Sequence, residues 1–290
     1  MSEPTINFIL GMPRCGTTFL YHNLGKHPQV FLPFRRKTNY FSLHFKNDES
    51  WFFKHFKDLR SNKVGIDTDT LNFFIPGAIE RIKEFHPNSG AKYIFIVRNP
   101  ADWSLSFYKQ ISTFSSKMPE FYQYLKEGYL LIEDDKEINC EFRDGMLKEK
   151  MHSLLDTFGD DILFVDFNEL SKDSFVFLKK IEQFFGLDSY FNEANFNNNK
   201  INSSNRSSPA IFNRLMRNKW FIYFANMLPR KLVINIRNSI DNCVVNKGPR
   251  ENEVQDDSLM LARSCYKNDI EFYEEYFSAH SFRIGKRGWL

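Results

Sequence analysis

Residues 11 to 18 read GMPRCGTT. Gly11 and Gly16 hold the spacing of the nucleotide-binding pattern G-x-x-x-x-G-K-[ST], but Thr17 stands where that pattern has its phosphate-reaching lysine. A tight glycine turn followed by the first turn of a helix makes an anion site, because its unpaired backbone N–H groups and the helix dipole point the same way. Gly16, Thr17 and Thr18 supply such donors here, and both threonines add hydroxyls. Losing the lysine keeps the phosphate but gives up the reach along a triphosphate, and the positive charge moves to Arg14 inside the loop. A second charge centre is Arg98, at the end of YIFIVR, with Ser106 eight residues further on. Arginine there replaces the acid that would hold magnesium, so metal-assisted ATP chemistry is disfavoured and the ligand should carry a second anion near Arg98. The plainer alternative is that Arg98 caps a helix or pairs with Asp102.

Group transfer at such a site also needs a base within hydrogen-bond reach of the accepting group. Asp67 and Asp69, in VGIDTDT, are the candidates, standing at the carboxyl end of an apolar run. An Asp in that place is more often a turn or N-cap residue. His44 and His22 are outsiders, His22 being expected within the first helix, packed or solvated. Cys15 reads as a small loop filler rather than a nucleophile, since only Arg14 is placed to act on it.

The elements that must position these residues are legible from periodicity. INFIL (6 to 10) predicts a buried parallel strand leading into the glycine loop. From Thr17 the apolar spacing becomes helical through Phe19, Leu20 and Leu24, with Gly25 as a C′ stop and the helix ending near His27. KVGID (63 to 67), AKYIFIVR (91 to 98) and DILFVDF (161 to 167) predict further strands, and residues 71 to 86 a helix broken around Pro76. A helical stripe through Phe177, Leu178, Ile181, Phe184 and Phe185 ends at Gly186. This alternation predicts an α/β fold: a P-loop-like parallel β-sheet flanked by helices, with ligands at the carboxyl ends of the strands and a mostly helical C-terminal part.

At 290 residues the chain is expected to form a single domain, 1–290. Its 32 phenylalanines are spread along the chain and read as core packing. No run of eighteen uncharged apolar residues is present, so no membrane span is expected. The N-terminus passes from MSEPT into an apolar run without the regions of a signal peptide, and Cys15, Cys140, Cys243 and Cys265 are dispersed; together these predict a cytoplasmic protein without a disulfide framework or zinc site. The net charge of +3 hides ten Lys or Arg against one acid between Lys200 and Arg250, while the stretch around IEDDKE (132 to 137) is acidic. The basic stretch carries no nucleic-acid module, so it reads either as a solvated face or as an anion-handling segment.

With these motifs in order, the sequence resembles the PAPS-dependent sulfotransferases, in which PAPS is 3′-phosphoadenylyl sulfate. The similarity is close over about residues 6 to 187 and includes HPQVFLPFRRKTNYF, KVGIDTDTLNF and ILFVDFNELSKDSFVFLKKIEQFFGL. It implies a donor loop of Pro13, Arg14, Cys15, Gly16, Thr17, Thr18 and Phe19 around the 5′-phosphosulfate, with Arg14 at the family's catalytic lysine or arginine. It also implies Arg98 and Ser106 on the 3′-phosphate, and a serine-rich loop, KINSSNRSSP, bringing Ser207 over the donor. The reaction implied is sulfuryl transfer from PAPS to a hydroxyl or amine, with no metal required.

The sequence departs from its relatives at the base. Many carbohydrate sulfotransferases have Lys-Glu where this chain reads Lys37-Thr38, and Thr38 cannot serve as a base alone; a second pattern, Glu-Lys-Thr-Pro, is replaced by Ile66-Asp67-Thr68-Asp69. Asp67 and Asp69 are therefore the catalytic expectation. The acceptor is expected to be a carbohydrate or small molecule, anionic if the basic segment lines the cleft, with Phe31, Phe34, Tyr40, Phe41 and Trp51 available for stacking. Two alternatives stay open: a nucleotide kinase or NTPase with a degenerate phosphate loop, and a homologue that binds PAPS or another anion without turnover.

Overall fold

A computed structural model of the chain describes residues 5–33, 37–85, 90–112, 118–192, 256–278 and 282–284. Strand β1 (Ile6–Gly11) enters the glycine loop, and helix α1 (Thr17–Leu24) leaves it. There follow β2 (Val30–Phe31), α2 (Glu49–Phe53), β3 (Val64–Thr68), α3 (Ala78–Phe85), β4 (Tyr93–Val97) and α4 (Pro100–Ser112). Then come α5 (Phe121–Glu127), a hairpin of β5 (Leu130–Glu133) and β6 (Lys136–Asn139), α6 (Met146–Phe158) and β7 (Ile162–Asp166). Helices α7 (Phe167–Lys172), α8 (Ser174–Phe184), α9 (Asp256–Cys265) and α10 (Lys267–Phe277) and strand β8 (Phe282–Ile284) complete the described strands and α-helices.

The main sheet has the order β2-β3-β1-β4-β7-β8, parallel throughout except for β8, which runs antiparallel to β7. Strands β1, β4 and β7 are buried along their whole length because helices cover both faces, which is why they read as unbroken apolar runs. The chain winds first from β1 towards β2 and β3, then returns across β1 to β4 and β7. The reversal places a crevice at the carboxyl ends of β1 and β4, the usual ligand position in such sheets. Both charge centres read from the sequence, the Arg14 loop and Arg98, leave those two strand ends.

Expected and observed elements differ in three places. Helix α1 ends at Leu24, and Gly25 is right-handed (φ −63°), so the stop comes from tightened turns, Lys26 N–H to Asn23 O and His27 N–H to Leu24 O, rather than from a left-handed glycine. The acidic stretch after residue 120 is not only a charged surface: it folds into α5 and the β5–β6 hairpin, whose turn residues Asp134 and Asp135 have φ of 50° and 59°, as a type I′ turn requires. The described C-terminal part is helical through α9 and α10 but closes on β8, a three-residue strand too short to show a period. The basic segment 200–250 lies outside the described residues.

Two polar side chains of α10 dock it, Asp269 onto the start of α6 and Tyr273 onto the end of β7. Asp269 accepts from the Leu147 and Lys148 backbone N–H groups at 3.0 and 3.1 Å, capping α6, and Asp144 returns the favour at the Asp269 N–H at 3.0 Å. The Tyr273 hydroxyl donates to Asp166 at 2.6 Å, at the cleft end of β7.

Candidate active site

Gly11 ends β1 at φ 128°, and a Cβ there would stand 2.7 Å from the Ile96 carbonyl oxygen, so only glycine lets the chain turn off the sheet beside β4. The loop is then fixed from beneath: the indole N–H of Trp103, fully buried in α4, donates to the Pro13 carbonyl at 2.8 Å. Arg14 has φ 68°, a left-handed conformation that costs about 1 kcal/mol or more in a non-glycine residue and recurs at ligand sites. Gly16, at φ 82°, is the residue before α1, and its missing side chain leaves room for Leu170, whose Cδ2 would be 2.2 Å from an added Cβ. Gly16 caps nothing with a side chain and the first turn of α1 carries no acid, so the helix N-terminus keeps its positive end turned towards the cleft. Thr17 and Phe19 are buried at this turn and Thr18 is half-buried.

The separate charge centres converge. Arg14 Nε donates to Ser106 Oγ at 3.3 Å, and Arg98 Nη1 donates to the Arg14 carbonyl at 3.3 Å. The Arg98 guanidinium lies over the Phe167 ring at 4.7 Å, which orients it, while α4 is capped by Asn99 accepting from Ala101 N–H at 3.0 Å. Arg98 is thus not the helix cap that its position after β4 allowed. Burial, reinforced by the neighbouring Arg98 charge, lowers the proton affinity of Arg14, the mark of cations gathered where an anion would relieve them. Two guanidiniums, a hydroxyl and an acid-free helix N-terminus are the donor set that a ligand with two phosphate groups requires. Cys15 is fully buried, and burial pushes its thiol up to about 12, so it packs the loop as expected and holds no thiolate.

The two acids at the end of β3 separate in character. Asp69 Oδ1 accepts from Leu71 N–H at 2.8 Å and Oδ2 from the Ser42 hydroxyl at 2.7 Å, the turn-closing role its position allowed. Asp67 Oδ2 accepts from the Thr38 hydroxyl at 2.7 Å, and Oδ1 from Thr68 N–H at 2.9 Å. Both carboxyls are held above the usual range by burial; Asp67 reaches about 7, the Asp69 charge adding and the Thr38 bonds opposing. Lys37 donates to the Thr70 hydroxyl at 2.9 Å and its charge favours ionised Asp69. Thr38, the residue standing at the expected glutamate position, is therefore bonded to a carboxylate from the next strand.

Sequence reasoning named Asp67 and Asp69 but missed their respective partners Thr38 and Ser42; the polar residues of KTNYFS beside two apolar aromatics were the available signal. Ser207 and Phe34 lie outside the described residues. Of the other aromatics expected to stack on an acceptor, Phe31, Tyr40 and Phe41 are buried in the core, Phe31 against Phe56 and both Tyr40 and Phe41 against Phe52 and Phe85. Only Trp51 retains exposed surface, stacked on Tyr40 at 5.9 Å. His44 is on the far end of the Thr38 loop, 2.9 Å from Asp134, and His22 sits half-buried in α1.

The family model for the sulfotransferase domain matches residues 4–226. The chain belongs to that family. A stretch of 104 residues, 35% of the chain, is 33% identical to the membrane-associated sulfotransferase kil1 of Dictyostelium discoideum and spans 22% of that protein's length. A sulfotransferase from Alicyclobacillus acidocaldarius shares the fold over 66% of this chain and 84% of its own, with TM-score 0.52 and 21% identity. A mouse sulfotransferase solved in complex with PAP, the desulfated nucleotide, is matched over 67% of this chain and 62% of its own, with TM-score 0.43 and 22% identity.

Proposed function

We propose that the chain is a PAPS-dependent sulfotransferase that moves a sulfuryl group to a hydroxyl acceptor, with Arg14 and Asp67 in the catalytic roles. The observation that carries this reading is the meeting of Arg14, Arg98 and Ser106 beside the N-terminus of α1. Pro13, Cys15, Gly16, Thr17, Thr18 and Phe19 shape the loop for the 5′-phosphosulfate, and Arg98 with Ser106 takes the 3′-phosphate. The donor brings an activated sulfuryl group with a good leaving phosphate.

Sulfuryl transfer, like phosphoryl transfer, depends on positioning and charge stabilisation more than on covalent help. As the acceptor oxygen bonds to sulfur and the bond from sulfur to the phosphate oxygen breaks, Arg14 neutralises the charge gathering on that phosphate. Asp67 removes the acceptor proton and becomes a neutral carboxyl. Ser106 and Arg14 serve opposite ends of the donor yet touch each other at 3.3 Å. The 3′-phosphate therefore takes the Ser106 hydroxyl from Arg14 and frees the guanidinium for the leaving group. Ser207, outside the described residues, is a further donor contact that the family resemblance implies.

The acceptor we favour is a sugar hydroxyl or a small molecule, anionic if the ten cationic residues between Lys200 and Arg250 line the cleft. Among the described residues no helix is long and apolar enough to cross a membrane. The cytoplasm is the compartment proposed, against the membrane association of the Dictyostelium relative; fractionation of cells expressing the chain separates the two. The burial of both acids favours a second reading, a homologue that binds PAPS without turnover.

PAP release from PAPS, measured beside calorimetric PAP binding, tests the proposal. Arg14→Ala should lower kcat by about 100-fold or more, far more than it weakens PAP binding, and Arg14→Lys should recover much of the loss. PAP affinity lost with kcat unchanged would assign Arg14 to donor binding alone. Binding by the wild type with no PAP release across a panel of hydroxyl acceptors would favour the second reading.

A further inference from the structure

The loop that carries Thr38 is closed by a residue from a distant part of the chain. Residues Tyr40–His44 form a π-helical turn, a rare geometry that is frequent at functional sites. The His44 and Leu43 N–H groups both donate to the Asn39 carbonyl, at 3.1 and 2.8 Å. Asn39 enters the turn left-handed, at φ 53°. What holds these two costly features together is the tip of the β5–β6 hairpin. Asp134 Oδ2 accepts from Asn39 Nδ2 at 3.4 Å and lies 2.9 Å from His44 Nε2, so a single carboxylate oxygen ties the residue that opens the turn to the residue that ends it. Lys136 Nζ adds a bond to the Leu43 carbonyl. From the opposite side, Asp67 and Asp69 hold Thr38 and Ser42. The turn is gripped between the hairpin and the end of β3.

We propose that Asp134 is a positioning residue, which clamps the Asn39–His44 turn from the hairpin tip and so keeps the Thr38 hydroxyl on Asp67. The proposal rests on Asp67 as the base. Asp67 faces the Asp69 carboxylate from its own strand end and Thr38 from the loop, and Lys37 faces Asp69 in turn. The Thr38 bonds favour ionised Asp67, whereas burial and Asp69 oppose it. Loosening the clamp therefore makes Asp67 harder to ionise, and a reaction that needs it ionised loses rate at the acid side of its pH profile.

Two readouts on the full-length chain test the clamp. One is PAP release from PAPS with water as the acceptor, followed against pH; the other is the carboxyl titration of Asp67 by infrared difference between wild type and Asp67→Asn. Asp134→Ala should leave PAP affinity unchanged, lower kcat roughly threefold to tenfold, and move both the acid limb and the Asp67 titration to higher pH. Thr38→Val should move both in the same direction, and Asp134→Asn, which keeps an acceptor oxygen, should recover most of the loss. His44→Ala removes half of the clamp and should give a smaller upward shift, which serves if Asp134→Ala does not fold. An Asp67 titration that stays in place in Asp134→Ala and His44→Ala while Thr38→Val moves it would overturn the clamp. So would loss of PAP affinity and Tm with the acid limb unmoved. Full PAP release by Asp67→Asn would remove Asp67 as the base, and the Thr38→Val and Asp134→Ala titrations, read by infrared alone, would still decide the clamp.

Discussion

At the scale of single residues, Asp67 is where burial and hydrogen bonding oppose each other most directly. A carboxyl held at about 7 is half ionised near neutrality, which is the proton affinity a general base needs. It also has a stability consequence of definite sign. The folded-state value is raised above that of an unfolded aspartate, about 3.9, so the folded state holds its proton over a range where the unfolded chain has released it. The stabilising contribution is complete below about pH 4 and is lost as pH rises to about 7, at up to about 1.4 kcal/mol per pH unit. Thermal unfolding from pH 5 to 8 should therefore show the wild type losing stability relative to Asp67→Asn as pH rises, while Asp67→Asn loses turnover and keeps PAP affinity. A constant difference in Tm across that range would mean that Asp67 is ionised throughout.

Among the elements, the loop between β1 and α1 makes the strongest demand on residue type. Gly16→Ala would place a Cβ at φ 82° and 2.2 Å from Leu170 Cδ2, and Gly11→Ala would place one 2.7 Å from a backbone oxygen that cannot move without disturbing β4. Each should cost at least about 2 kcal/mol in urea unfolding and weaken PAP binding, because the strained loop is also the anion site. Normal stability and affinity in both variants would show that the loop adapts without glycine. This loop was legible in the sequence because the glycine spacing, the apolar strand before it and the helical stripe after it are all local signals. The π-helical turn at Tyr40–His44 and the Asp134 turn were not. A five-residue turn has no period, and its stability comes from contacts with residues about ninety positions away. The Asp67–Thr38 bond escaped for the same reason, since a residue dismissed as a base on its own chemistry becomes part of the site only through a partner on another strand.

For the whole molecule, strand order decides function by bringing two loops far apart in sequence to one crevice. The alternation of apolar strands and amphipathic helices predicted the parallel sheet, and the buried β1, β4 and β7 follow from it. The antiparallel β8 and the docking of α10 through Asp269 and Tyr273 were not readable, because they depend on tertiary partners rather than on local pattern. The account's central claim is that Arg98 and Ser106, brought beside the Arg14 loop, recognise a second phosphate. Calorimetric titration of the wild type and Arg98→Ala with PAP and with AMP measures this directly. PAP should bind the wild type at least about tenfold more tightly than AMP, through charge-assisted hydrogen bonds that AMP cannot make, and Arg98→Ala should weaken PAP far more than AMP. Equal affinity of the wild type for PAP and AMP, or a uniform loss for both in Arg98→Ala, would contradict it.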